Sequence, residues 1–264
     1  MATIRLGKPF YKGGVLIVTK VGAGILIGTL VGKIFGPAGF LTITPLACIA
    51  ALTNSNSVMY SILAQQYGGA TDVGAVSVLA LKDGPFFTMI ALGLTGMANI
   101  PFMSVIAVLI PLGLGMLLGN LDEDVRSMCE KGQPIIVPFN GFCLGAGMNL
   151  MDVVKPGIPG IILGLISLIV TGFICYWVYN LFFGRKKKTA VGFGCGNTAG
   201  NAVATPAAVA EADPTMAAIA PVATAQVAAA CVITALLCPL VTAWLAKRLE
   251  AKEAAKTGGN TVSA

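Results

Sequence analysis

The chain has 264 residues, 56% of them hydrophobic and only 11% charged, with a formal net charge of +6 and a mean hydropathy of +0.86. A soluble domain carries roughly a quarter charged residues, so this composition excludes an ordinary soluble globule and puts the chain in the membrane class. There is no His, and the seven Cys show no C-x-x-C spacing, so neither a zinc framework nor an enzyme's active site is favoured, and no cofactor, metal or nucleic-acid partner is expected.

A membrane-spanning helix needs about 20 mostly apolar residues, and the chain reads as an all-α membrane protein of about eight such segments. The first is Gly13–Phe35. It follows a basic start, holds Lys20 and Lys33, and lacks a cleavage site, so it is a membrane helix and not a signal peptide. Ala38–Gln66 is second, interrupted by "TNSNS" (Thr53–Ser57), and Val73–Ala98 is third, interrupted by "KDGP" (Lys82–Pro85). Pro101–Gly119 is fourth, and "LDEDVRSMCEKG" (Leu121–Gly132) is a loop or surface helix. The fifth, Pro134–Met151, is short, with Gly145 and Gly147 as packing positions. Ile158–Phe183 is sixth and the most uniformly apolar, Thr189–Ala212 is seventh and interrupted by "CGNTAGN" (Cys195–Asn201), and Met216–Leu245 is eighth. The polar residues after it read as a disordered tail. Eight crossings put both termini on one side, together with Arg5, Lys8, Lys12, Arg126, Lys131, the "RKKK" run and the C-terminal bases, leaving Lys33 and Lys155 on the other. The excess of positive charge marks the first side as cytoplasmic.

Segments one to three and six to eight share a pattern: a long helix, a polar-broken helix, a further helix. "SNSVMYSILAQQ" laid on "GNAVATPAAVAE" brings Asn56 onto Asn201 and Val58 onto Val203. An odd number of segments separates the two units, so they run through the membrane in opposite directions, the inverted repeat of many secondary transporters. Breaks in a spanning helix are tolerated only inside protein or along a wet cavity. Asn and Ser compete with helical hydrogen bonds and cap a restarting helix. The restarted N-termini point inward and suit an anion. The substrate-binding candidates are therefore Asn54, Ser55, Asn56, Ser57, Asn197, Thr198 and Asn201, with Lys20 adding positive charge.

Each reading has a plainer rival. The polar breaks could serve only to pack helices. Lys20 could extend to the cytoplasmic surface instead. Lys82 and Asp83 are ionisable groups within an apolar segment, yet Asp83 could simply shape the kink at Gly84 and Pro85. Glu211 and Asp213 fall at the outer face, where a solvated loop is the default.

"GGVLIVTK", "QQYGG", "GPFFTMIALG", "LGNLD" and "GNAVATPAAVAE", in this order, resemble the 2-keto-3-deoxygluconate permease family of bacteria over about Gly13–Arg248. The resemblance implies a multi-pass carrier of the inner membrane that takes up this sugar-acid anion by proton symport. It also implies kinship with bile-acid-type carriers, whose inverted repeats hold two discontinuous helices. By that analogy residues 13–98 and 158–248 form a mobile transport core in two repeat units, 99–157 form scaffold, and 249–264 form a cytoplasmic tail. Asp83 or Glu211 would take the coupling proton. Family members usually begin with two further hydrophobic segments and carry a Gly pair after "TN" where this chain has "TNSNS". The first departure suggests a fragment, a misassigned start, or a second copy or partner chain that supplies scaffold helices. The alternatives are a truncated, non-transporting membrane subunit, or a carrier for another organic anion or with sodium coupling.

Overall fold

The computed structural model describes residues 7–36, 39–146 and 150–258. Arg5, Gly147 and the last six residues lie outside the described ones, as do the side chains of Gly145 and Lys155. The described chain is helical. α1 (Gly7–Phe35) leads through a tight turn to α2 (Pro45–Thr53) and α3 (Ser57–Tyr67), separated by the first polar interruption. The short helices α4 (Ala70–Gly74) and α5 (Val76–Leu79) and a 3-10 turn (Ala80–Lys82) then bend by 56° into α6 (Phe86–Leu94). α7 (Phe102–Leu121) and α8 (Glu123–Ala146) follow, so the "LDEDVRSMCEKG" stretch is mostly the start of a helix. α9 (Leu150–Ile166) and α10 (Gly172–Phe183) are joined by a π-helical turn at Ser167–Thr171. A 3-10 run (Lys187–Gly196), the second interruption and another 3-10 turn (Gly200–Ala204) lead to α11 (Thr205–Ala212), and α12 (Ala220–Gly258) ends the described chain.

Among the described residues five stretches are long and apolar enough to cross a membrane, and six if the bent pair is one span. These match expected segments one to four, six and eight. Of the expected fifth, residues 134–146 form the end of α8, 147–149 lie outside the described residues, and Leu150 and Met151 open α9. The expected seventh is a 3-10 run and an eight-residue helix, not one interrupted α-helix. Close packing accounts for that run: a Cβ on Gly196 would lie 2.5 Å from Gly172 Cα, and one on Gly192 2.6 Å from Tyr179 Cβ. The run is pressed directly onto α10. α12 continues to Gly258, into the stretch expected to be a disordered tail. Its Ala, Lys and Glu are good helix formers, and Lys187 ties it back through Glu250 at 2.6 Å.

All nine residues of α2 are buried. α1 approaches α2 through small residues, since a Cβ on Gly24 would sit 2.8 Å from Leu52 C. α9 meets α12 likewise, a Cβ on Gly160 falling 2.7 Å from Gln226 O. Small residues let membrane helices come this close. The turn before α2 carries left-handed backbone at Leu41 and Thr42, φ 50° and 63°, a strained conformation for a β-branched residue. Gln226 of α12, fully buried, holds it. Its Nε2 donates to Thr42 O at 2.6 Å, and its Oε1 accepts Thr44 N at 3.0 Å and Thr44 Oγ1 at 3.1 Å. Thr44 in turn caps α2 by accepting Ala47 N.

Gln226→Leu removes these bonds and leaves buried groups unpaired, a loss of about 1–3 kcal/mol for each such group. The thermal midpoint of the detergent-purified variant is expected to fall by several degrees; an unchanged midpoint contradicts this role for Gln226.

Candidate functional site

The two interruptions are built alike. α2 stops at Asn54 (φ −90°, ψ 150°), and Asn56, also extended, caps α3 by accepting Met59 N at 3.0 Å. The 3-10 run stops at Asn197 (φ −72°, ψ 163°), and the chain stays extended to Ala199. Each first Asn folds back on the turn it ends: Asn54 Nδ2 donates to Ala50 O at 3.0 Å, Asn197 Nδ2 to Gly194 O at 2.6 Å. Each offers its Oδ1 to a backbone N–H of another segment, Asn54 to Gly84 N at 2.9 Å and Asn197 to Asn56 N at 2.5 Å. By these roles Asn54 answers to Asn197 and Ser55 to Thr198, two positions away from the expected register of Asn56 on Asn201. The side chain that terminates the first half-helix, and not the restart, is the shared feature.

The Asn56–Asn197 bond joins the two interruptions, and Thr198 Oγ1 adds a bond to Ala51 O at 3.3 Å. Thr198 N donates to Thr234 Oγ1 of α12 at 2.9 Å. The Lys82–Gly84 turn docks on the first interruption: Lys82 Nζ donates to Ser55 Oγ, Gly84 N to Asn54. Gly84 has φ +112°, a left-handed conformation that suits Gly. Thr88 extends the contact, accepting Asn54 Nδ2 at 3.2 Å and pairing with Thr53 Oγ1 at 3.0 Å. Ser57 Oγ and Asp83 Oδ1 are buried here side by side, the Asp83 carboxyl facing the hydroxyl and N–H of Ser57.

Lys20 reaches the same junction from α1 and does not extend to the surface; it is 0% exposed. Its Nζ donates to Thr171 Oγ1 at 2.8 Å, Asn197 O at 3.3 Å and Ser167 Oγ at 3.4 Å. Ser167 and Thr171 come from the π-helical turn, a feature frequent at functional sites. Ser167 Oγ also donates to Gly196 O at 3.1 Å. Lys82 is 1% exposed and faces Lys20. Two buried ammonium groups thus meet at the junction, held by hydroxyls and a carbonyl, with the carboxylate of Asp83 beside Lys82.

The fold therefore gathers Asn54, Ser55, Asn56, Ser57, Asn197, Thr198, Lys20 and Asp83. Asn201 and Glu211 are exposed and stand apart. Ser167, Thr171, Thr88 and Thr234 belong to the junction and were not singled out from sequence. The only signal was hydroxyls four residues apart in an otherwise apolar helix, Ser167 and Thr171. Among the described residues no group of Cys, Asp and Glu converges to hold a metal. A cavity of about 310 Å³, lined by Lys33, Pro45, Leu46, Thr95, Met97 and Met216 among others, lies at the far end of α1 and not at the junction.

A carboxylate fastens each end of the bundle. At the basic end Asp72, 1% exposed, accepts Lys12 Nζ at 2.6 Å, Tyr179 OH, and Gly69 N at 2.9 Å. Lys12 also lies over the rings of Tyr179 and Phe183 at 5.7 and 5.4 Å. At the far end Asp213 is 5% exposed and not a solvated loop residue. It accepts Thr215 Oγ1 at 2.7 Å, Thr215 N at 3.0 Å and Asn99 N at 2.6 Å, tying α11 to the α6–α7 connection.

Several apolar spans around a buried polar junction that holds two lysines define a multi-pass membrane protein. The chain belongs to the 2-keto-3-deoxygluconate permease family, whose model matches residues 2–251. The family is one of transporters, not enzymes. The chain is 46% identical over 237 residues to 2-keto-3-deoxygluconate permease 1 of Salmonella typhimurium, covering 90% of this chain and 74% of that one. It is 36% identical over 261 residues to the 2-keto-3-deoxygluconate permease of Xanthomonas axonopodis pv. citri, covering 95% and 81%. It is 35% identical over 247 residues to that of Bacillus subtilis, covering 92% and 74%. No solved structure matches the chain.

The hydrogen bonds from Thr215 and Asn99 hold the Asp213 carboxyl below its usual range. A depressed folded value means that the tie is intact above the ordinary carboxylate pKa of about 3.9 and weakens as the pH falls below it. At pH 6, Asp213→Ala is expected to speed amide exchange at Asn99, read by mass spectrometry. Exchange as slow as in the parent chain contradicts the tie.

Proposed function

We propose that this chain takes up 2-keto-3-deoxygluconate by proton symport, binding the sugar-acid anion at the junction of the two interruptions. The observation that carries the reading is the pair of buried lysines, Lys20 and Lys82, meeting there with a single neighbouring carboxylate. Buried charge without compensation is costly by several kcal/mol, and an anion supplies the compensation. The restarted helix α3 adds its N-terminal dipole. Asn54, Ser55, Asn56, Ser57, Asn197 and Thr198 offer donors and acceptors for a keto group and hydroxyls. Asn201 and Glu211, being exposed, contribute only if the scaffold or a second copy covers them.

The same reading takes the chain as about eight crossings in an inverted repeat, both termini in the cytoplasm of a bacterium and the basic end inward. The matched roles of Asn54 and Asn197 in their interruptions support the repeat. Residues 13–98 and 158–248 then move as a core against the scaffold of 99–157, exposing the junction alternately to the two sides. The names of the relatives support the substrate.

Counterflow of labelled 2-keto-3-deoxygluconate in proteoliposomes tests this. Lys82→Met and Asn197→Ala each remove a charged or polar contact worth about 1.5–3 kcal/mol, so apparent affinity is expected to fall by roughly tenfold or more. Absence of counterflow by the unaltered chain overturns the substrate; unaltered affinity in both variants overturns the site.

A further inference from the structure

We propose that Lys20 carries the coupling proton, binding it as the substrate carboxylate enters the junction and giving it up as the carboxylate leaves. This rests on the symport reading above and names the group through which it works.

The surroundings of Lys20 satisfy its hydrogen bonds but not its charge. Its Nζ meets Thr171 Oγ1 at 2.8 Å, with Asn197 O and Ser167 Oγ at the longer distances of 3.3 and 3.4 Å. Both hydroxyls have acceptors for their own hydrogens: Thr171 donates to Ser167 O at 2.6 Å and Ser167 to Gly196 O at 3.1 Å. They are therefore free to accept from Lys20. None of the three acceptors bears a negative charge. The charged and titratable groups that face Lys20 are the thiols of Cys175 on α10, Cys195 on the 3-10 run and Cys238 on α12, and the ammonium of Lys82. Among the described residues no carboxylate faces Lys20. Asp83 faces Lys82 and supplies one negative charge against the two lysines. The junction thus has one positive charge in excess, and Lys20 is the lysine without an acid beside it.

A monoanion at the junction balances that excess, so anion and proton stabilise one another. Linkage makes the effect reciprocal: whatever the anion does to proton affinity, the proton does to anion affinity. The step is R–NH2 + H+ → R–NH3+, the proton coming from water on the side where the anion binds and returning to water on the side where it leaves. No other bond changes. One proton accompanies one anion, and the cycle is electroneutral.

The test measures protons taken up per anion bound. Detergent-purified protein in weakly buffered solution with a pH dye is titrated with 2-keto-3-deoxygluconate, and bound anion is measured in parallel with labelled substrate. The unaltered chain is expected to take up about one proton per anion, and its affinity to change about tenfold per pH unit over the range where Lys20 titrates. Arg stays protonated at all accessible pH values, so Lys20→Arg is expected to bring the ratio to near zero in whatever anion it binds. Lys20→Gln should likewise flatten the pH dependence of affinity. Asp83→Asn should leave the ratio near one. A ratio near one in Lys20→Arg, or a ratio that falls to zero in Asp83→Asn, overturns the proposal. The symport reading fails separately, if the unaltered chain shows no counterflow of the substrate.

Discussion

A bilayer offers no water to a broken helix, so every N–H and C=O freed by an interruption has to find its partner inside the protein. That constraint organises the centre of this molecule. Asn54 and Asn197 each close the turn they terminate and accept an N–H from elsewhere. The second of these bonds links one interruption directly to the other. Remove either Asn and backbone groups in both segments lose partners at once. The first interruption leans on the second, whose own backbone groups are met by Thr234, Lys20 and Ser167.

Bringing polar backbone and side chains together also makes a place where buried charge can exist. Lys20 and Lys82 belong to different helices and find their hydrogen bonds in what the interruptions and the π-helical turn expose: the hydroxyls of Ser55, Ser167 and Thr171 and the carbonyl of Asn197. The π-helical turn matters here because it sets both hydroxyls toward α1. A junction that is polar, positively charged and enclosed has the character required of a site for an anion. The glycines that let α1 lie against α2, and the 3-10 run against α10, set how closely these groups approach.

Polar ties hold the periphery in the same manner. Gln226 fixes the strained turn that aims α2 at the junction. Asp72 holds the starts of α1 and α4 to the end of α10, and Asp213 holds α11 to the α6–α7 connection. The two acids sit at opposite ends of the bundle, each just beyond a restarted half-helix. The elements that form the junction are thereby fastened at both ends. α7 and α8 stand to one side, and α7 presents its apolar surface outward.

The sequence by itself determined that this is a helical membrane protein and where most of its spans lie. It also located both polar interruptions, a lysine within the first span, and the family. All of these are local: an apolar run, an Asn–Ser cluster or a motif is legible without knowing what lies against it. Tertiary structure alone decided the register between the interruptions, which follows the terminating Asn and not the restart. It alone distinguished Lys82 and Asp83 at the junction from Glu211 and Asn201 away from it. It alone drew in Ser167, Thr171, Thr88, Thr234 and Asp72, and turned Asp213 from a loop acid into a fastener. The helix of Ser167 is apolar enough that its hydroxyls read as incidental, and Asp72 lies in a polar turn like any other. Which polar groups meet depends on the height and facing of helices far apart in the chain, and hydropathy and capping patterns carry no information about either.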